Sequence, residues 1–185
     1  MKFIDKALRC WRVSEALKLL PDNYNRVFDI GCHDGYLLNR INNGKIYIDG
    51  CDPYCKILNP HAKSKIFSVS FPSKIGNSKL RGPYDVIFAL AVFEHFTKID
   101  LTKSSRKINS MLSKNGRLIV TIPSPLADKI LDFLLFLKLI DGQELHQHTS
   151  LDVNVLINYF SKNFRLKHKK KFQFGLNNIL VFEKK

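Results

Sequence analysis

No apolar run in this chain reaches membrane-spanning length. The longest, Ile130 to Ile140, is interrupted by Asp132 and Lys138 and falls well short of the ~20 residues a transmembrane helix needs. The opening residues Met1 to Lys6 hold no apolar segment with a small-residue cleavage site, so no secretory signal is expected and a cytoplasmic setting is. Cysteine is scarce: Cys10, Cys32, Cys51 and Cys55 show no paired C-x-x-C spacing, which argues against a disulfide framework and for reduced thiols. A zinc site from Cys51, Cys55 and His61 is conceivable on ligand type alone. His146 and His148 have only Glu144 beside them, so no metal is expected there. Acidic residues are also few, 16 Asp+Glu against 30 Lys+Arg, for a formal net charge of +14. Such a surplus attracts nucleic acid, an anionic membrane surface or sugar phosphates, or is simply a lysine-rich solvated surface. The plainer reading is preferred, because lysine far outnumbers arginine and is spread along the chain. Repeats and low-complexity stretches are absent.

What is present is an ordinary globular composition over 185 residues, 45% hydrophobic and 25% charged, enough for one core without metals or disulfides. Residues 1–20 read as an amphipathic helix, with Ile4, Ala7, Leu8, Trp11, Ala16, Leu17 and Leu20 at helical spacing and Pro21 as its stop. Strands are then expected at 26–30, at 45–48 running on toward Asp52, at 65–71, in the first half of 84–93 and at 117–122. Helices are expected at 36–41, 53–59 and 102–112, the last separated from its strand by the turn Ser113 to Gly116. This alternation predicts an α/β sandwich with a mostly parallel sheet covered on both faces. The final quarter departs from the rhythm. Ala127 to Ile140 is apolar nearly all round: a core helix, a lid, a dimer face or a membrane-surface helix. A helix over 151–160 follows, capped by Thr149 or Ser150. Strands at 164–174 and 178–182 close the chain as an antiparallel pair.

Chemistry concentrates in Val27 to Leu38. Asp29 ends a strand, and Gly31 and Gly35 sit in the turn before a helix, where glycine admits positive φ and a ligand can reach backbone N–H groups. Asp52 ends the next strand, 21 residues beyond Gly31, the distance at which nucleotide-binding folds place an acid on ribose hydroxyls. Turn capping is the plainer role for either acid alone.

These segments resemble the class I S-adenosylmethionine-dependent methyltransferases, through Asp29-Ile-Gly-Cys-His-Asp-Gly35, Asp49-Gly-Cys-Asp-Pro-Tyr54, Tyr84 to His95 and Leu112 to Pro123 in that order. The resemblance spans residues 26–123. It implies a Rossmann-like three-layer sandwich with a seven-stranded sheet whose last strand inserts antiparallel, and S-adenosyl-L-methionine as cofactor. By position, Asp29, Gly31, Cys32 and Gly35 would hold the methionine end, Asp52 the ribose, and Pro53 or Tyr54 the adenosine, with Ala89 and Leu90 lining the cleft. Two departures stand out: Cys32-His33-Asp34 replaces a third glycine, and Phe67 to Phe71 offers serines where an adenine-binding acid is common.

The resemblance implies one methyltransferase domain over 1–185. It comprises an N-terminal helix (1–20), a cofactor core (26–123), a helical insertion or lid (124–150), and a C-terminal helix and strand pair (151–185). The tail from His146 onward is similar to members that modify small molecules or glycans, so O-methylation of such an acceptor is expected. His95 and His148, with His146 beside it, are candidate general bases, each equally readable as a structural hydrogen-bonder. An RNA methyltransferase and a non-catalytic cofactor-binding partner subunit are the rivals. Arg165 to Lys171 is the densest positive run, expected as an exposed edge strand.

Overall fold

The computed structural model describes residues 3–56, 63–73, 75, 80–124 and 151–185. His61, Glu144, His146, His148, Thr149, Ser150 and the segment Ala127 to Ile140 lie outside the described residues. A first helix, α1 (Phe3–Leu17), precedes β1 (Arg26–Ile30), α2 (Tyr36–Ile41), β2 (Tyr47–Cys51), β3 (Ser64–Phe67) and β4 (Tyr84–Leu90). Then come α3 (Lys98–Met111), β5 (Leu112–Pro123), α4 (Val153–Ser161), β6 (Phe164–Phe172) and β7 (Asn177–Lys184). The strands form one seven-stranded sheet in the order β3-β2-β1-β4-β5-β7-β6. The pairs from β3 to β5 are parallel. β7 enters between β5 and β6 antiparallel to both. This is the Rossmann-like arrangement that the resemblance implies.

Side-chain alternation places a buried layer on each face. Phe28, Ile30, Ile87 and Val120 pack toward α3 and α4, while Val27, Ile48, Val86 and Phe88 pack toward α1 and α2. Five aromatic rings, Phe93, Phe96, Phe160, Phe164 and Phe182, interlock on the first face at centroid distances of 5.3 to 6.4 Å. Among the described residues no helix is long and apolar enough to cross a membrane, and all four cysteines are free thiols.

Several element limits differ from the sequence reading, each for a local reason. β3 stops at Phe67 rather than 71, because its partner strand ends at Cys51, which registers with Phe67. Of the helix expected at 53–59, residues 57–59 lie outside the described residues; Pro53 and Tyr54 form a turn and Cys55 and Lys56 are irregular, the turn nucleated by Asp52, whose Oδ1 accepts the Tyr54 N–H. α3 begins at Lys98, four residues before 102, through a capping box in which Thr97 and Asp100 satisfy each other's backbone N–H. Ser113 to Gly116 are not a separate turn but an irregularity within β5, where the register jumps from Tyr84↔Leu112 to Val86↔Arg117. α4 begins at Val153 under Asp152, whose Oδ1 accepts from Asn154 and Val155 N–H, so Thr149 and Ser150 are not its cap. In α1 the deeply buried apolar positions are Val13 and Ala16, whereas Ala7 and Trp11 face solvent.

One polar cluster lies inside the sheet. The Tyr84 hydroxyl donates to Asp49 Oδ2 at 2.8 Å, and Arg81 stands 3.7 Å from Oδ1. Asp49 is fully buried. That burial pushes its carboxyl above the usual range, against the pull of Tyr84 and Arg81. Tyr84→Phe removes the hydroxyl's hydrogen bond to Asp49 without leaving a cavity, and should cost ~1–3 kcal/mol of unfolding free energy, read from urea denaturation at pH 7.

Candidate active site

In this strand order the chain reverses direction of travel between β1 and β4, and a crevice opens beyond their carboxyl ends, the usual ligand position in open α/β sheets. A cavity of about 700 Å³ occupies it. Ile30, Gly31 and His33 form one wall and Cys51, Asp52, Pro53 and Tyr54 another. Ser70 and Phe71 close the β3 side, and Leu90, Ala91, Val92, His95, Phe96 and Asp100 complete the β4 side.

The first wall is shaped by backbone. Gly31 and Cys32 N–H both donate to the Cys51 carbonyl, at 2.8 and 3.3 Å, and Gly35 N–H donates to the Cys32 carbonyl at 2.7 Å. The loop needs left-handed residues at Gly31 (φ 81) and Gly35 (φ 75), where a side chain is strained. A Cβ on Gly31 would come within 2.5 Å of Val92 Cγ2. The expected free N–H at the start of α2 is partly taken, since Asp34 Oδ1 accepts the Tyr36 N–H at 3.2 Å. Asp34 also accepts from Arg9 at 2.8 Å, joining α1 to this loop. Burial opposes the Asp34 charge, but the Arg9 hydrogen bond and charge prevail and hold its carboxyl below the usual range.

Asp52 stands on the opposite wall. Its Oδ2 accepts the His33 N–H at 3.2 Å and its Oδ1 the Tyr54 N–H at 2.6 Å. A carboxylate has about four acceptor sites, so this turn-capping leaves capacity for a ligand's hydroxyls. Tyr54 is 79% exposed, its ring at the mouth. Asp29 lies behind the wall, buried. Burial first, and the Asp52 carboxylate second, push its carboxyl well above the usual range.

The β4 wall is positioned by the aromatic layer. Phe93 is fully buried and anchors a 3-10 turn, Phe93–His95, which brings His95 to the cavity. Asp100 faces the cavity, but its carboxylate accepts the Thr97 hydroxyl at 2.6 Å. Of the sequence-predicted residues, Gly31, Asp52, Pro53, Tyr54, Leu90 and His95 meet around one space. Asp29, Cys32, Gly35 and Ala89 are not among its lining residues. His33, Ser70, Phe71 and Val92 line it beyond the residues the sequence assigns to the cofactor, as does Cys51, which the sequence offered only as a zinc ligand. His33 and Cys51 adjoin the recognised motifs, whereas Phe71 was hidden in an expected strand.

Charge is distributed unevenly. The lining includes two carboxylates, with Asp29 just behind, and among the described residues it includes no lysine or arginine. In a chain of net charge +14, that makes the crevice a place for a cation and a poor one for phosphates.

A family model described as "Methyltransferase domain" matches residues 5–165. The chain belongs to this methyltransferase family. Comparison with curated proteins finds no match. Among solved structures it is similar to N-methyltransferase NodS from Bradyrhizobium japonicum, at 11% identity and TM-score 0.70 over 97% of this chain and 98% of that one. A putative S-adenosylmethionine-dependent methyltransferase from Listeria monocytogenes gives 14% identity and TM-score 0.71 over 96% and 99%. Magnesium protoporphyrin IX methyltransferase from Synechocystis, solved with S-adenosylhomocysteine, gives 16% and 0.66 over 100% and 89%. At these identities the likeness is one of fold.

The methyltransferase's cofactor is S-adenosylmethionine, and the crevice fits it. The cavity is of ligand size, its glycine wall has no room for a Cβ, and its carboxylates suit a sulfonium and an ammonium group. Gly31→Ala should destabilise the protein by ~1–3 kcal/mol through left-handed strain and the Val92 contact. It should also weaken S-adenosylhomocysteine binding in calorimetric titration. Asp29→Asn gives a second, opposite signature. Because burial raises the Asp29 carboxyl, the stability it contributes is full below its unfolded value near 3.9 and is lost as pH rises through the folded one. The asparagine variant should therefore unfold at higher urea than wild type at pH 7–8, with a flatter pH dependence, while binding cofactor less tightly.

Proposed function

We propose that this methyltransferase acts on a small-molecule or glycan acceptor, by O-methylation, with residues 1–185 working as one catalytic domain in a cytoplasmic setting. The observation that carries the reading is the cation-seeking crevice within a basic protein. The bound cofactor supplies an electrophilic methyl group on sulfur, so what the protein must add is alignment and exclusion of water.

Asp29, Gly31, Cys32 and Gly35 are assigned to the methionine end. Of these Gly31 acts at the wall, Asp29 from behind it, and Cys32 and Gly35 by holding the loop. Asp52 is assigned to the ribose hydroxyls, Pro53 and Tyr54 to one face of the adenosine, and Leu90, backed by buried Ala89, to the other side of the crevice. Ser70 and Phe71, which line the β3 side of the cavity, are assigned to the adenine, a hydroxyl and a ring in place of an acid. His95 is assigned the acceptor's proton, as a base on the β4 wall. His148 remains a second candidate from the sequence.

The exposed run on β6 is the observation favouring an RNA acceptor. Its residues from Arg165 to Lys171 are mostly solvent-facing, but they lie on the edge strand three positions from β4, roughly 14 Å across the sheet. RNA affinity that falls steeply with salt and rises with bound cofactor would favour that reading.

Calorimetric titration with S-adenosylmethionine and S-adenosylhomocysteine tests the assignment. Micromolar binding is expected, weakened at least tenfold, about 1.4 kcal/mol, in Asp52→Ala. Folded wild-type protein that binds neither would leave the partner-subunit reading in its place. With an acceptor in hand, His95→Ala should lower kcat by ~10²–10⁴ and leave cofactor affinity unchanged.

A further inference from the structure

The first half of α1 carries an apolar stripe that the core does not use. Ile4 and Leu8 are half-buried, Ala7 is exposed, and Trp11 is 39% exposed. Against Trp11 stands Phe174, 93% exposed, the two rings nearly perpendicular with centroids 5.5 Å apart. A phenyl group held in water is the reverse of what burial favours.

The backbone that holds it there is strained. Gln173 and Phe174, at the tip between β6 and β7, are both left-handed, with φ of 51 and 56. Such values are uncommon for residues with side chains, and they gather at functional sites. The tip is also tied down. Gln173 Nε2 donates to the Leu8 carbonyl at 2.6 Å and Asn177 Nδ2 to Gln173 Oε1 at 2.6 Å. The Ser124 hydroxyl donates to the Gly175 carbonyl at 2.7 Å.

Strand register places this tip on the cofactor edge. Leu90, on the cavity wall, pairs with Thr121, and Thr121 pairs with Ile179 of β7. At ~4.8 Å per strand Ile179 lies about 10 Å across from Leu90, and the tip stands beyond it, past the carboxyl end of β5, where Pro123 pairs with Asn177. Arg9, on the same helix as Trp11, joins the cavity loop through Asp34 at 2.8 Å.

We propose that Trp11 and Phe174 form a platform for the methyl acceptor, stacking against the apolar face of a sugar or aryl ring while the atom to be methylated reaches His95. This rests on the small-molecule or glycan reading above. The separation implies an acceptor with a second ring-sized group beyond the one modified.

Trp11 is the chain's one tryptophan, so its emission reports occupancy directly. Titration with phenyl β-D-glucopyranoside should give a saturable change in wild-type emission, retained in Phe174→Tyr and weakened at least tenfold in Phe174→Ala. S-adenosylhomocysteine affinity, measured in parallel, should stay within twofold of wild type in both variants. Phe174→Gly, which relieves the left-handed backbone, should melt no lower than wild type and lose the response. The platform is overturned by any of three results: no saturable response in wild type, an undiminished response in Phe174→Ala, or a lower melting temperature for Phe174→Gly, which would make the ring a structural plug. Emission that shifts with protein concentration alone, tracking a dimer by sedimentation, would assign the pair to a second copy instead. Loss of cofactor binding with the probe response intact would strike the methyltransferase assignment and leave the platform.

Discussion

The carbonyl oxygen of Cys51 carries more of the crevice than any side chain does. It receives the N–H of both Gly31 and Cys32, which fastens the loop after β1 to the end of β2. The approach this requires is close enough that a Cβ on Gly50 would meet Cys32 Cβ at 3.0 Å and the Asp29 carbonyl at 3.1 Å. Once the loop is fastened, Asp52 lies within reach of the His33 N–H, and its charge adds to burial in raising the Asp29 carboxyl. One backbone acceptor thus brings the Asp52 carboxylate to bear on a second, buried acid. A cation in the crevice beside Asp52 would offset that charge, so the same geometry favours a positively charged ligand.

Basic residues are spent elsewhere. Arg26, Lys63 and Arg81 surround Tyr47 with their cations 5.6 to 5.8 Å from its ring, at the end of the sheet where β1 and β2 begin. Each also donates to a backbone carbonyl there, Arg26 to Arg81, Arg81 to Lys63 and Lys63 to Lys45. Lys170, inside the dense run on β6, bonds Glu15 of α1 at 2.9 Å, and with Lys18 it holds that carboxyl below its usual range. These basic residues stitch elements together or coat an edge strand, away from the crevice.

The succession of strands along the chain, the glycine turn after β1 and the acids at the strand ends were legible because each is a local pattern, whereas the order of strands within the sheet came only with the resemblance. Apolar runs of five to seven residues make strands, and a glycine at positive φ leaves a signature in the sequence. Asp52 could be placed by its distance from Gly31 alone. What escaped was whatever depends on a neighbour distant in sequence. β3 ends where β2 ends, not where its own alternation stops. Ser113 to Gly116 stay in β5 because the bulge opposite Tyr84 absorbs them. The burial of α1 follows the tip at Gln173, which grips Leu8 from 165 residues away, so periodicity alone placed Trp11 in the core. Asp152 and the Thr97–Asp100 box are capping patterns written in the sequence, and they, not the apolar spacing, set where α4 and α3 begin.

Strain is the last feature that sequence conceals. Among the described residues, those with side chains at positive φ are His33, Ala91, Gln173 and Phe174. His33 and Ala91 line the cavity, and the other two cap the hairpin on the same edge. At Ala91 the reason is visible. Its N–H still bonds the Thr121 carbonyl at 3.1 Å, so the chain must turn sharply while held to the sheet. That turn lays Val92 over Gly31 and delivers His95 to the wall. A glycine at 91 would relax the turn but add unfolded-state entropy and loosen the approach of Val92 to Gly31. The sequence instead places the glycine at 31, where there is no room for a Cβ, and keeps a side chain at 91, where the turn can be strained. That division keeps both walls of the crevice close before any ligand arrives.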